Sequence, residues 1–334
     1  MSHALPAASP PEPMPVFPSE HDIYLHSYLR PLRPWLDDDT VTEILVNAPG
    51  EVWIERMGRP KMQREVAPAI DDRLIQQLAT QVARVNHQGI NREQPLLAAI
   101  LPGGERIQII GPPATRAGWA LAIRRHIGID LHLDAYRFAA VGDAASPTSL
   151  PRSLEGLRQA IAMRKTVLIS GGTSSGKTTL LNALLKEIPQ HERIVAVEDT
   201  PEIRLHPPNS LGLVAVKDEQ GQARVTTDDL LRASLRLRPD RIVLGELRGS
   251  EAVTFLRAIN TGHPGSFSTI HANTPGGALE QLALMVVQAG VGLSRSDALD
   301  YIHSLVDVVV QVGRVGGERR IVDMLWVADV RSST

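Results

Sequence analysis

Residues Gly171-Gly172-Thr173-Ser174-Ser175-Gly176-Lys177-Thr178 fit the pattern GxxxxGK[ST], the spacing that wraps a chain of phosphates. Glycines let the backbone N–H groups turn inward where a Cβ would clash. The Lys177 ammonium is expected to reach the β- and γ-phosphates, and the Thr178 hydroxyl to bind Mg²⁺. Thr179 completes the nucleotide-binding run. The motif directly follows the apolar run TVLIS and leads into TLLNALLKEI, so strand, loop and helix succeed one another as phosphate binding requires. The expected ligand is ATP with Mg²⁺, and the expected reaction is its hydrolysis to ADP and phosphate. The GxGxxG spacing of a dinucleotide fold is absent.

Hydrolysis needs a carboxylate to orient or deprotonate the attacking water, and acids at the ends of parallel strands are placed to do it. Two runs offer one. RIVAVED closes on Glu198 and continues through Asp199-Thr200-Pro201-Glu202, and RIVLGE closes on Glu246. Glu246 stands where a Walker B acid would lie, but Gly245 replaces the usual aspartate, so metal binding through Glu246 is expected to be indirect, through water. Sequence leaves open which glutamate is the base.

Further along, His263 and His271 bracket the strand candidate SFSTIHA. His271 ends that strand, which we expect to add to the edge of the same sheet, and as a neutral donor it could sense the γ-phosphate. In the first part of the chain Arg106 and the pair Arg124-Arg125 end strand-like runs, and an arginine supplied from a separate domain stabilises a transferring phosphoryl group. Arg238, Arg241 and Arg248 are candidates for contacts across a subunit interface.

Two kinds of architecture must position these residues. A helix over residues 22–35 is followed by strand candidates at VTEILVN and EVWIER around Ala48-Pro49-Gly50, a hairpin turn. A helix at about 71–85 carries Leu74, Leu78, Val82 and Val85 on one side. Strands PLLAAIL, RIQIIG and WALAIRR complete an α+β domain, 21–138, behind a flexible proline-rich arm at 1–20. The small, proline-bounded run at 139–151 reads as a linker. From 152 to 330 strands alternate with helices, which implies βαβ units and a mostly parallel sheet.

Composition narrows the classes. The 334 residues suit two domains, and 43% hydrophobic with 22% charged residues is ordinary for a globular chain. A net charge of -2 argues against whole-chain attraction to nucleic acid, and no sequence-specific nucleic-acid binding is expected. There is no cysteine, which removes disulfides and thiolate zinc sites. No run of about 18 apolar residues is present, so no transmembrane helix is expected. The N-terminus has six prolines within its first 20 residues and no apolar core of a signal peptide.

Taken together, GGTSSGKTT, the acidic box VEDTPEI, RPDRIVLGELRGSEA, TGHPGSFSTIHANTP and the first-domain segments GERIQIIGPP and IRR resemble the type II/IV secretion traffic ATPases. They are most similar to the hexameric P-type DNA transfer ATPases of type IV secretion, the eleventh component of VirB operons, over about residues 22–330. The resemblance implies a RecA-like P-loop NTPase domain preceded by a smaller α+β domain, with nucleotide held between them. It implies a homo-hexamer at the cytoplasmic face of the inner membrane, peripheral, working with other secretion ATPases and inner-membrane channel components. Glu198, Glu246 and His271 match the family's acidic, Walker B and histidine boxes, and Arg106 and Arg124 its phosphate-facing arginines. The absence of cysteine disfavours the type II branch, which carries a tetracysteine zinc module. Pilus-retraction or type II secretion-like traffic ATPases, a RecA-like nucleic-acid motor and a nucleotide-binding regulatory module without catalysis are the alternatives.

Overall fold

The computed structural model describes residues 20–59, 61–125, 130–139, 150–216, 225–316 and 318–331. The expected arm at 1–20, apart from Glu20, and residues 140–149 of the expected linker lie outside them. The chain divides into two compact units, with the division between Arg125 and His126; residues 58–60 are grouped with the second. Residues 130–139 belong to the second unit, where Leu133 and Tyr136 are buried in its core.

In the first unit, helix α1 (Glu20–Leu29) gives way to a 3₁₀ turn (Arg30–Leu32) and a short α2 (Arg33–Leu36). The single helix expected over 22–35 is thus broken, because Pro31 and Pro34 cannot donate to the preceding turn and sit instead at the start of new ones. Strands β1 (Val41–Val46), β2 (Glu51–Arg56) and β3 (Gln63–Val66) precede α3 (Asp72–Val85), and β4 (Leu96–Ile100), β5 (Arg106–Ile110) and β6 (Ala120–Arg124) follow it. They form one sheet in the order β3-β2-β1-β6-β5-β4, every pairing antiparallel. Alternation puts Ile44, Val46, Val52 and Ile54 inside, where they meet Ile75, Leu78 and Val82 of α3. Asp71 caps α3 by accepting from the Leu74 N–H.

The second unit holds α4 (Leu154–Ala162), β7 (Val167–Ser170), α5 (Lys177–Leu185), β8 (Ile194–Glu198), β9 (Ser210–Val214), α6 (Thr227–Ser234) and β10 (Arg241–Leu247). It continues with α7 (Glu251–Asn260), β11 (Phe267–Ile270), α8 (Pro275–Gln288), α9 (Arg295–Leu305), β12 (Val308–Val315), β13 (Glu318–Trp326) and α10 (Val327–Arg331). The sheet order is β13-β12-β7-β11-β10-β8-β9, parallel throughout except where β13 turns back on β12. This is the RecA-like α/β arrangement that the sequence leads one to expect. One expectation is corrected: β11 does not add to an edge but is inserted between β7 and β10. Successive residues of its neighbours face two separate cores. Ile169, Ala196 and Val243 meet Leu157, Leu180 and Leu184 on one face, and Leu168, Val197 and Leu244 meet Phe255, Leu282 and Ile302 on the other. Burial on both faces explains why these strands read as continuous apolar runs.

At the end of the sheet away from the phosphate loop lies a buried ion pair. Arg241, 0% exposed, donates through Nε to Glu192 Oε2 at 2.5 Å and through Nη2 to Glu192 Oε1 at 3.1 Å. Its remaining donors reach the carbonyls of Ile161 and Gly265, and its guanidinium lies 6.0 Å from the Phe267 ring centre. Arg241 therefore ties α4, β10 and the approach to β11 together, and it is not available at a subunit interface. Burial pushes the Glu192 carboxyl up, but the hydrogen bond and charge of Arg241, with Arg164, outweigh it and hold the group below its ordinary 4.5. A carboxyl so depressed contributes stability that is present at neutral pH and lost as the pH falls below about 4.5. Glu192→Ala leaves a buried guanidinium without its counter-ion, and we expect it to lower the unfolding free energy by about 3–5 kcal/mol in urea titrations at pH 7. A variant as stable as wild type would show that the pair is dispensable.

Candidate functional site

The phosphate loop starts where β7, buried along its whole length, ends. Its turn requires left-handed backbone at Ser174, with φ 55°, and at Gly176, with φ 98°. At Gly171 an added Cβ would lie 2.7 Å from the Val312 carbonyl oxygen, so the strand can turn there only without a side chain. Gly172 faces open space. Thr173 is exposed, Ser175 is buried, and Thr178 and Thr179 open the first turn of α5, partly exposed.

Lys177 is 8% exposed, and its Nζ donates to the carbonyls of Gly171 and Gly172, both at 3.1 Å. The same Nζ lies 3.3 Å from His271 Nδ1 and 3.2 Å from Nε2. His271 Nε2 in turn lies 2.7 Å from Glu246 Oε1. Nζ is therefore about as close to one ring nitrogen as to the other and lies in line with neither lone pair, while Nε2 faces Glu246. Lysine, histidine and glutamate thus form a chain from the phosphate loop to the end of β10. The insertion of β11 between β7 and β10 makes this possible, since it sets His271 between the two.

Glu246 reaches this position through a β-bulge. Leu244 pairs with Ser268 and Leu247 with Ile270, so β10 spends one extra residue at Gly245-Glu246. The other carboxylate oxygen of Glu246 accepts from Arg248 Nε at 2.5 Å, and Arg248 also lies 3.4 Å from Asp199. Arg248 therefore belongs to the acidic strand ends. A Cβ on Gly245 would stand 3.5 Å from Glu198 Cγ, in ordinary contact with the acid of β8.

Glu198 is 5% exposed, and its Oε1 accepts from the backbone N–H groups of Glu202 and Ile203, each at 2.7 Å. That folds the VEDTPEI segment back over α5. Asn182 fixes it there, donating to the Glu202 carbonyl at 3.0 Å and accepting from the Arg204 N–H at 2.9 Å. Glu202 Oε2 then accepts from the Thr178 hydroxyl at 3.2 Å. Sequence reasoning quoted Glu202 but gave it no part in the site; its spacing within the acidic box carried no sign that the loop returns to the threonine. Asn182, one turn into α5, was missed for the same reason.

The segment after His271 is held from below. The Ala272 carbonyl accepts from Gln311 Nε2 at 3.1 Å and from Ser170 Oγ at 3.4 Å, and Thr274 caps α8 by accepting from the Gly277 N–H at 3.0 Å. His263 lies before β11, at its opposite end, with Nδ1 3.0 Å from the Pro239 carbonyl, apart from these residues.

Arg106 and Arg124 lie in the other compact unit, directly opposite each other on β5 and β6. Two like charges in register are unfavourable, and Glu43, in register with Arg124 on β1 and 3.9 Å from its Nε, offsets part of the cost. Arg125 is not a phosphate candidate: its Nη1 donates to the carbonyls of Trp35, Asp38 and Val41.

A phosphate loop that shares one sheet end with acids on two neighbouring strands can be compared with known proteins. The family model "Type II/IV secretion system protein" matches residues 27–316. Type IV secretion system protein VirB11 of Bartonella quintana (strain Toulouse) is 36% identical over 327 residues, 89% of this chain and 91% of the relative. The type IV secretion system protein PtlH homolog of Bordetella bronchiseptica is 41% identical over 323 residues, covering 90% and 94%. Among solved structures, the pilus retraction motor PilT with bound ADP aligns with a TM-score of 0.60 over 91% of this chain and 86% of that one, at 21% identity, a likeness of fold. With sequence, fold and the span of the match in agreement, this chain belongs to the type II/IV secretion system protein family.

Proposed function

We propose that this chain is an ATP hydrolase that powers type IV secretion, acting in pilus assembly or substrate transfer as a ring of six identical subunits. The observation that carries the reading is the line from Lys177 through His271 to Glu246, which connects a phosphate loop to a strand-end acid within one unit. Relatives of 36% and 41% identity along nine-tenths of the chain support the secretion setting.

In this reading the residues 171–179 hold the triphosphate: the loop N–H groups and the positive end of α5 face the β-phosphate. The γ-phosphate takes over Lys177 from the Gly171 and Gly172 carbonyls and from His271. His271, released from the ammonium, still faces Glu246 and so reports the γ-phosphate to it. Glu246 accepts a proton from the attacking water as the oxygen attacks the γ-phosphorus and the bond to ADP breaks. Glu198, whose Oε1 accepts from the backbone N–H groups of Glu202 and Ile203, acts by holding the loop that carries Glu202.

The Mg²⁺ fits the oxygen donors present. Thr178 Oγ1 and Glu202 Oε2 stand together, and among the described residues no group of three or more His, Cys, Asp or Glu forms a cage. Such a site leaves most of the coordination sphere to phosphate oxygens and water, as Mg²⁺ prefers. Thr178 would hold the ion directly, and Glu202 and, further out, Glu246 through water. The ion supplies neutralisation of charge on the β- and γ-phosphates.

Arg106 and Arg124 are proposed as phosphate-facing arginines of the first domain, which would explain why two like charges are kept in register. The ring is proposed to sit at the cytoplasmic face of the inner membrane with the other secretion ATPases and channel components. No described helix is long and apolar enough to cross a membrane. The join between domains, expected at 139–151, is proposed to lie earlier, after Arg125, because Leu133 and Tyr136 already sit in the core of the second unit.

Two measurements test this. Light scattering with a phosphate-release assay should give a hexamer whose turnover falls at least about 100-fold in both Lys177→Ala and Glu246→Gln; a monomer that binds ATP without releasing phosphate would overturn the assignment. In Glu202→Gln we expect turnover to persist but to need about tenfold more Mg²⁺ for half-maximal rate. An unchanged Mg²⁺ requirement would remove Glu202 from the metal's surroundings.

A further inference from the structure

The phosphate loop has a second cationic neighbour that the reading above does not use. An added Cβ on Gly176 would lie 2.7 Å from Arg319 Cδ and 3.1 Å from its Nε, so the stem of Arg319 lies along the turn that opens α5. Arg319 stands on β13, opposite Arg314 of β12. Gly176 is the loop residue with the most positive φ, 98°, a conformation that favours glycine, and the Arg319 side chain packs against it.

Sheet order gives this contact its meaning. The acids and His271 come from β8, β10 and β11, all on one side of β7. Arg319 comes from β13, on the other side, beyond β12. A nucleotide whose γ-phosphate points to Glu246 must therefore run its α-phosphate and nucleoside towards the β12–β13 side of the loop. Tyr136 shares that neighbourhood: it is buried in the core, its hydroxyl has no hydrogen-bond partner among the described residues, and the Arg319 charge counteracts the effect of burial on its ionisation.

We propose that Arg319 is a nucleotide-binding residue that grips the α-phosphate end of ATP and ADP from the side of the loop opposite the catalytic acids. The planar fork offers two parallel donors to phosphate oxygens, which lysine in its place would not. The contact is made equally to substrate and product, because the α-phosphate does not react. It should therefore set affinity and leave the chemical step alone.

This inference rests on the proposed ATP site, and the experiment separates the two. The full chain is compared with Arg319→Ala, Arg319→Lys and Lys177→Ala by calorimetric titration with Mg-ADP, by steady-state ATP turnover and by thermal melting. In Arg319→Ala we expect the Kd for ADP and the KM for ATP each to rise about tenfold, the scale of one charge-assisted hydrogen bond, with kcat within about twofold of wild type. Arg319→Lys should fall between the two. Wild-type affinity in Arg319→Ala, with Lys177→Ala unable to bind, would overturn the role of Arg319 and keep the phosphate loop. A fall in kcat and melting temperature at unchanged KM would make Arg319 a packing residue and equally overturn it. A wild-type chain that binds no ADP would instead overturn the ATP site itself.

Discussion

A parallel sheet brings the carboxyl ends of its strands to one edge, and in the second unit that constraint governs all the rest. β7, β11, β10 and β8 are neighbours in that order and run the same way, so the phosphate loop, His271, Glu246 and Glu198 emerge at one end without any long loop to place them. The opposite ends are locked by Arg241, whose guanidinium joins Glu192 to the carbonyls of Ile161 and Gly265. One end is thereby tied together by a buried ion pair, and the other carries the polar groups of the phosphate loop and the strand-end acids.

Three departures from regular structure refine that end. The bulge at Gly245-Glu246 turns the glutamate towards His271, where an unbroken strand would have sent it to the other face. Gly245, within that bulge, lies alongside Glu198 of β8. Glu198 then works through the backbone, since the two N–H groups it binds hold the loop on which Glu202 meets Thr178. Buried polar groups are mostly hydrogen-bonded, and here the N–H groups of Glu202, Ile203 and Arg204 are met by Glu198 and Asn182.

The phosphate loop was legible in sequence because its chemistry is local: strand, glycines, lysine and helix follow one another in the chain. The strand-end acids were legible for the same reason. What depends on spatial order was not. Nothing in SFSTIHA tells that β11 enters between β7 and β10, because neighbouring strands in a parallel sheet need not be neighbours in sequence. β3 and β9 escaped notice because, as edge strands, QREV and SLGLV bury little and lack a clear apolar alternation. Arg241 read as a surface arginine since its acceptors, Ile161, Glu192 and Gly265, are scattered along the chain. The break at Pro31 and Pro34 was there to be read and was outweighed by a helical pattern around it.

α8 begins with its Thr274 cap three residues after His271, and its 14 residues span about 21 Å at 1.5 Å each. A helix of that length is a stiff rod. Its far end carries exposed Leu284 and Val287, with exposed Val291 and Leu293 just beyond. A rod fixed at its Thr274 end moves most at that tip, where these apolar side chains lie exposed.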